Sequence, residues 1–170
     1  MIPGGSVESR QGLSRRAEAV SSTGFVFPND TNHHGTMFGG RVLERMDQTG
    51  AIAAARFAHS AVVTAAMEAV SFQYPIRAGM IIETVARVVY TGRTSMIVRV
   101  DVFAEHQLTG ERTCATSGYL TMVALDAAGK PTPVPRLIVE TEEERADYEH
   151  AAHVREAAIQ RSRRKGGEAA

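Results

Sequence analysis

The chain has 170 residues, of which 44% are hydrophobic and 22% are charged, and 19 basic side chains balance 19 acidic ones. This size and composition predict one globular domain with a sizeable core, and the even charge excludes a global attraction to nucleic acid or to an anionic membrane surface. Cys114 is the single cysteine, which excludes an internal disulfide and favours a reducing cytoplasm. The chain also has no apolar run of the roughly 18 residues that a membrane span needs.

The beginning of the chain is polar and rich in small residues. Residues 1–20 lack the apolar stretch of a secretory signal, and we expect them to be disordered. The apolar run TGFVF (residues 23–27) then predicts a short strand that ends at Pro28. Residues 28–38, rich in Asn, Asp, Thr and His, predict a loop.

A helical pattern extends from Gly40 to about Ala58. Its apolar side consists of Leu43, Met46, Gly50, Ala53, Ala54 and Phe57. Small residues on this side predict that strands pack closely against the helix. Asp47 falls within the same apolar arc, which is an unusual place for a carboxylate.

Four longer stretches alternate as strands do, at residues 62–74, 80–91, 94–105 and 111–125. Their short connections predict an antiparallel meander. A single apolar helix beside such a sheet predicts an α+β fold in which the sheet curls around the helix, because each then buries the apolar face of the other.

The end of the chain predicts a second helix over residues 141–165. Thr141 followed by Glu144 forms a capping box, with acidic residues at the start of the helix and basic residues at its end. The final RSRRK is capable of binding a phosphate, but a solvated helix end is the simpler interpretation.

Asp47 is the main candidate for chemistry. An ionised carboxylate in dry surroundings costs several kcal/mol unless it is well paired. A purely structural role, bonded to backbone or to Arg45, is the alternative. Gly39 and Gly40 favour a functional role, because glycines before a helix let a ligand approach first-turn N–H groups that can stabilise an oxyanion. A tight turn before the helix would also explain them.

Two further segments carry polar groups suited to a site. Asn32 can position water or a carbonyl, although an isolated asparagine in such a loop is more often a turn former. Arg93, beside Thr94 and Ser95 at a strand start, can bind a phosphate, and a salt bridge is the alternative. The histidines have no metal-ligand spacing, and no Gly-x-Ser-x-Gly elbow of a serine hydrolase is present.

With these motifs in place, the sequence resembles the acyl-CoA thioesterases of the hotdog fold, especially the bacterial short-to-medium-chain branch and the brain-type acyl-CoA hydrolases. The resemblance covers roughly residues 23–137. It lies in Asn-x-x-Gly-x-x-x-Gly-Gly, then Met-Asp-x-x-Gly-Ala, then Phe-x-x-Pro-Ile-x-x-Gly, then Gly-Arg-Thr-Ser. Each of these motifs alone is weak evidence for the family, whereas their combination is specific to it.

The resemblance implies a hotdog thioesterase domain over residues 21–140, followed by a C-terminal helix and basic tail over residues 141–170. It implies hydrolysis of acyl-CoA, with coenzyme A only as part of substrate and product, no cofactor and no metal. Asp47 would be the general base or the nucleophile, Asn32 would position the water or thioester, and the Gly40 N–H would polarise the carbonyl. Four residues would bind the substrate and its CoA part: Gly39, Arg93, Thr94 and Ser95.

The family also implies an assembly. Two copies would join their sheets edge to edge, with Asn32 and Asp47 of one site coming from different chains, and three such dimers would form a hexamer. The sequence departs from the commonest family pattern at Thr36 and Arg41, both next to the acyl site. Chain-length preference therefore cannot be transferred.

Two other functions remain open on the sequence. A non-catalytic acyl-CoA-binding hotdog module would gain nothing from Asp47. A hotdog hydratase would need a histidine with an acid on the helix, and residues 39–58 contain no histidine.

Overall fold

The fold was obtained as a computed structural model that describes residues 12–167, with the side chains of residues 12–68 and 70–161. In chain order the elements are β1 (Ser14–Arg15), β2 (Val20–Phe25), a 3-10 turn (Pro28–Asp30), α1 (Gly39–Ala58), β3 (Ala61–Phe72), β4 (Ile81–Thr91), β5 (Ser95–Glu105), β6 (Arg112–Leu125), β7 (Arg136–Leu137) and α2 (Glu142–Gly167). Neither helix in this part of the chain is long and apolar enough to cross a membrane.

The main sheet has five antiparallel strands in the order β2-β4-β5-β6-β3. The predicted meander is correct for β4, β5 and β6 but wrong for β3, which pairs with β6 at the far edge. The reason lies in residues 73–80, a connection longer than a tight hairpin. It packs instead on the loop before α1, where the N–H of Met37 donates to the carbonyl oxygen of Ile76 at 2.7 Å.

The sheet wraps around α1 and confirms the predicted hotdog arrangement. The helix buries Val42, Met46, Thr49, Gly50, Ala53, Ala54, Phe57 and Ala58. A Cβ atom on Gly50 would lie 3.0 Å from the Leu120 side chain of β6, so a larger residue here would force the side chains of the sheet to shift. The small residues of α1 thus have the packing role that was predicted.

The segment predicted to be disordered, residues 1–20, is ordered where the structure describes it. β1 pairs in parallel with β7, and Val20 begins β2 with a buried side chain. Arg15 donates to the carbonyl oxygen of Phe57 at 2.7 Å and so satisfies the last turn of α1. The prediction was therefore wrong from Ser14 onward, and residues 1–11 lie outside the described part of the chain.

The second helix packs on the face of the sheet opposite α1. Its capping box is formed as predicted, because the N–H of Glu144 donates to Thr141 Oγ1 at 3.1 Å and the Glu144 carboxylate accepts from the N–H of Thr141 at 3.2 Å. Ala151 joins Val89 and Ile97 in a small apolar cluster between this helix and the sheet. Two ring contacts lie beside it, Tyr90 with Tyr148 and Tyr119 with His150.

Asp147 anchors α2 to the sheet. It is buried, and its carboxylate accepts from Arg99 at 2.7 Å and from Arg87 at 3.3 Å. Burial acts to lower the pKa of Arg99, but Asp101 and Asp147 outweigh it, and the pKa rises above its ordinary value. Ser117 donates to Asp101 at 2.6 Å, so the ion pairs continue into β6.

We expect Asp147→Ala to lower the free energy of unfolding by about 2 kcal/mol, because it leaves two half-buried guanidinium groups without their shared carboxylate. Glu149→Ala, at an exposed position of the same helix, is the matched control and should leave stability unchanged. Urea unfolding followed by circular dichroism measures both. Equal stability of the two variants would show that the ion pairs contribute nothing to the docking of α2.

Candidate active site

Asp47 lies at the margin of the core, half-buried, on the side of α1 that faces β3. Thr64 Oγ1 of β3 donates to Asp47 Oδ1 at 2.5 Å. The carboxylate has no ion pair among the described side chains, and the alternative of a bond to Arg45 is wrong. The Arg45 guanidinium packs over β2 instead, 3.3 Å from the position of a Cβ atom on Gly24. Asp47 is thus held in place without being neutralised.

Thr64 is a further candidate site residue, and it was not among those predicted from the sequence. It is the one hydroxyl residue in AVVTAAM at the start of β3, a stretch otherwise made of alanine, valine and methionine. That contrast was the available signal, but only the packing of β3 against α1 brings the hydroxyl to Asp47. The Thr64 hydroxyl binds Oδ1 of the carboxylate, and Oδ2 has no hydrogen bond within the described part of the chain.

We expect Thr64→Val to reduce kcat about tenfold with little change in KM, because valine keeps the shape and loses one hydrogen bond to a charged group. Thr64→Ser keeps the hydroxyl and should restore kcat. A loss of kcat that Thr64→Ser does not restore would indicate a packing defect instead, and full activity of Thr64→Val would remove Thr64 from the site.

The N-terminus of α1 presents free backbone donors. Phe38 is its N-cap residue and supplies no side-chain hydrogen bond, and the N–H groups of Gly39 and Gly40 have no partner among the described residues. A Cβ atom on Gly39 would lie 3.3 Å from the Phe72 ring, whereas one on Gly40 would meet open space. The helix end therefore offers donors on an accessible surface, as an oxyanion site requires.

Asn32 lies in the loop before this helix. Its Oδ1 accepts from the N–H of His34 at 2.9 Å and from the N–H of Thr36 at 3.3 Å, so it is a turn former as the alternative interpretation stated. Its amide nitrogen makes no hydrogen bond within the part of the chain that is described. The turn fixes one end of the side chain and leaves the donor available. His33 and His34 are exposed on the same loop.

The third group of predicted residues lies at the β4–β5 turn. Arg93 is exposed and lines an open groove of about 610 Å³, and no carboxylate pairs with it among the described side chains. Ser95 Oγ lies 3.0 Å from the position of a Cβ atom on Gly92 in the same turn, and Ser95 and Thr94 are both half-buried. The salt-bridge alternative for Arg93 is therefore wrong, and of the three residues Arg93 is the one that lines the groove.

One chain does not bring all these groups together. Asp47 follows Gly40 by two turns of α1, a distance of roughly 10 Å along the helix axis. Hydrogen bonds span about 3 Å, so the Gly40 N–H and the Asp47 carboxylate of one chain cannot flank the same carbonyl group. No three metal-ligating side chains cluster within the described residues.

Residues 34–111 match the model of the thioesterase superfamily, a segment that contains α1, β3 and the β4–β5 turn. The chain is 46% identical over 125 residues to the uncharacterized acyl-CoA thioester hydrolase YkhA of Bacillus subtilis, and the match covers 74% of this chain and 73% of that protein. The chain belongs to the acyl-CoA thioester hydrolases of the thioesterase superfamily.

Solved structures of other acyl-CoA thioester hydrolases share the fold. An apo-hexameric acyl-CoA thioesterase is 45% identical, with a TM-score of 0.84 over 88% of this chain and 97% of its own. An acyl-CoA hydrolase from Staphylococcus aureus, solved with butyryl coenzyme A, coenzyme A and coenzyme A disulfide, is 36% identical with a TM-score of 0.83, over 91% of this chain and 96% of its own. Variants of that hydrolase with an aspartate, an asparagine or a threonine replaced by alanine have also been solved.

Proposed function

We propose that the protein hydrolyses acyl-CoA thioesters to a free carboxylic acid and coenzyme A. The observation that carries this proposal is the Asp47–Thr64 pair, in which a hydroxyl on the edge strand β3 holds an unpaired carboxylate on α1. A carboxylate in this state can take a proton from water or attack a thioester carbonyl. A protein that only binds acyl-CoA has no use for it.

The site is completed by a second copy of the chain. β3 is an edge strand, and Val63 and Phe72 are exposed along it, at 47% and 54% of their surface. A long edge of this kind pairs readily with another strand. Two identical edges related by a twofold axis pair in antiparallel fashion, which sets the Thr64 end of one strand beside the Phe72 end of the other.

This pairing of the two edges brings together the Asp47 carboxylate and the Gly40 N–H, which lie too far apart within one chain. Asp47 lies against Thr64, and Gly39 lies against Phe72, so Asp47 of one copy approaches the helix N-terminus of the second. Asn32, in the loop before that helix, comes with it. Each dimer therefore has two sites, each with Asp47 from one chain and with Asn32 and Gly40 from the other.

The chemistry follows from these positions. The Gly40 N–H, with the helix dipole behind it, stabilises the oxyanion that develops on the thioester oxygen, and the Asn32 amide orients the thioester or the water. In the general-base route, water bonds to the carbonyl carbon as its proton passes to Asp47. The tetrahedral intermediate then expels the CoA thiolate, which takes up a proton. In the nucleophilic route, Asp47 attacks first and water cleaves the resulting anhydride.

The variants of the Staphylococcus aureus hydrolase support these roles. In that enzyme the replaced asparagine lies 15 positions before the replaced aspartate, and the replaced threonine lies 17 positions after it. Asn32 and Thr64 have the same spacing from Asp47. These three residues of this chain are therefore the ones to which we assign the reaction.

The wider assembly is also a proposal. A trimer of such dimers is supported by the apo-hexameric relative. The reaction as written needs no cofactor or metal besides the CoA of the substrate. We further propose that the domain at residues 21–140 acts in the cytoplasm, without nucleic-acid or membrane partners.

Release of free thiol from acyl-CoA esters of different chain lengths tests the function. We expect turnover with at least one ester, and coenzyme A bound after the reaction. The rival function, a binding module, predicts that acyl-CoA binds and returns intact from the complex. If every acyl-CoA ester is recovered intact, the hydrolase proposal is wrong.

A further inference from the structure

A row of side chains crosses the face of the sheet that α2 covers. Its members are cross-strand neighbours on four successive strands: Arg87, Arg99, Tyr119 and Glu68. The helix contacts this row at three points, because Asp147 pairs with the two arginines, His150 contacts the tyrosine ring and Arg161 pairs with the glutamate. α2 therefore runs across the strands, from β4 near its beginning to the edge strand β3 at Arg161.

The pair of Arg161 with Glu68 lies at the edge of the sheet. Met67, the residue before Glu68, packs against the core on the side of α1, so the Glu68 side chain points to the side of α2. That side chain keeps 16% of its surface exposed, whereas the Arg161 side chain keeps 58%. Among the described side chains Glu68 has no second ion pair. Its charge is thus balanced by Arg161 alone.

The twofold axis of the proposed dimer passes beside Glu68. In that dimer the Thr64 end of one β3 lies beside the Phe72 end of the other, and Glu68 is midway between these two residues in the chain. An axis that pairs two edges in antiparallel fashion is perpendicular to the sheet, so both copies of Glu68 lie on the same face. Directly opposite residues have Cβ atoms about 5 Å apart, and like charges at this distance destabilise the pairing.

We propose that α2 is part of the dimer interface, where the Arg161 side chains of both copies neutralise the two Glu68 carboxylates at the axis. The inference rests on the dimer of the proposed function, in which two chains share each site. A guanidinium group has five N–H donors, so Arg161 can bind its own Glu68 and also donate to that of the second copy. The exposed part of Arg161 leaves donors available for this contact. The partner that fits this surface is therefore a second copy of the chain.

A disulfide across the axis tests the position of Glu68. Glu68→Cys is made together with Cys114→Ser, because Cys114 is the one native cysteine. We expect oxidation to link the two chains on a non-reducing gel, since directly opposite residues have Cα atoms about 5 Å apart, within the span of a disulfide. Ala66→Cys in the same background is the matched control on the same face of β3. Its two copies would lie roughly 13 Å apart along the strands, too far for a disulfide.

Sedimentation equilibrium of the full chain tests the charge balance, in urea below the unfolding range so that dissociation can be measured. Arg161→Ala should weaken the dimer about tenfold, because two carboxylates then face each other without a cation. A rise in salt from about 0.1 M to 1 M should restore part of the affinity, since salt screens this repulsion. Glu68→Gln, alone or combined with Arg161→Ala, should stay within about a factor of two of wild type. Arg145→Ala is the matched control, because Arg145 pairs with Glu142 at the surface of α2.

The outcomes separate this interface from the hydrolase proposal. Any result other than selective linkage of Glu68→Cys overturns the position of the axis. Unchanged association of Arg161→Ala overturns the role of α2, and so does an equal loss in Arg161→Ala and Glu68→Gln, which an ion pair confined to one chain would give. Neither test depends on catalysis. Expected linkage and association without thiol release would keep the interface and remove the hydrolase, whereas normal thiol release without linkage would remove only the interface.

Discussion

Asp47→Asn is expected to lower kcat by roughly a thousandfold while KM for acyl-CoA changes little, since a positioned base or nucleophile contributes two to four orders of magnitude and little ground-state binding. Asparagine has the shape of aspartate, and its amide oxygen can still accept from Thr64. The fold and the substrate site should therefore persist. The variant removes the charge and the proton acceptor, and little else.

The matched control is Glu44→Gln, on the exposed side of the same helix, where Glu44 pairs only with Arg41 at the surface. It should leave kcat within a factor of two. Steady-state assays of thiol release, with melting temperatures of both variants, make the comparison. Full activity of Asp47→Asn would remove Asp47 from the mechanism, whatever the activity of the protein. A double variant of Asp47→Asn with Thr64→Val should be no worse than Asp47→Asn alone, because Thr64 acts through Asp47.

A mixture of two inactive variants is expected to regain roughly a quarter of wild-type activity if sites are shared between chains. Asp47→Ala and Asn32→Ala each disable every site of their own assembly. In a random one-to-one assembly, a quarter of the sites take Asn32 from the first variant and Asp47 from the second. Those sites contain both Asn32 and Asp47, although every chain in the mixture lacks one of the two residues.

The mixture is prepared by unfolding both variants in urea and refolding them together, and thiol release is compared with each variant refolded alone. Refolded wild type provides the reference for full recovery. Activity no higher than the sum of the two separate variants would mean that each site belongs to a single chain. Mixing Asp47→Ala with Thr64→Val provides a second control, because both residues belong to the same half of the site and no complete site can form.

Local sequence patterns were sufficient to predict α1 and to single out Asp47 on it. The boundaries of α1 differ by one residue from the prediction, because a period near 3.6 and two glycines mark them in the sequence itself. The capping box of α2 was predicted for the same reason, since all its atoms lie within five residues. Asp47 could be singled out because its polarity conflicts with the helical pattern around it.

Features that depend on contacts between distant residues could not be predicted from local sequence patterns. The place of β3 at the sheet edge depends on how the connection after it packs, and no local pattern encodes that. The order of residues 14–20 depends on β7, more than a hundred residues away, and on the carbonyl oxygen of Phe57. Thr64 reaches Asp47 only because β3 packs against α1 in the assembled sheet, and no motif surrounds Thr64 in the sequence.

The uncapped start of α1 has a consequence for the evolution and engineering of the protein. An Asp or Ser in place of Phe38 would satisfy free N–H groups and is among the commonest ways to make a helix more stable. The same side chain would occupy the donors that we propose for the negatively charged intermediate, and a carboxylate there would repel that intermediate. A stabilising substitution at this one position should thus cost catalytic rate. Sequence changes that raise the melting temperature are better sought at the far end of the helix.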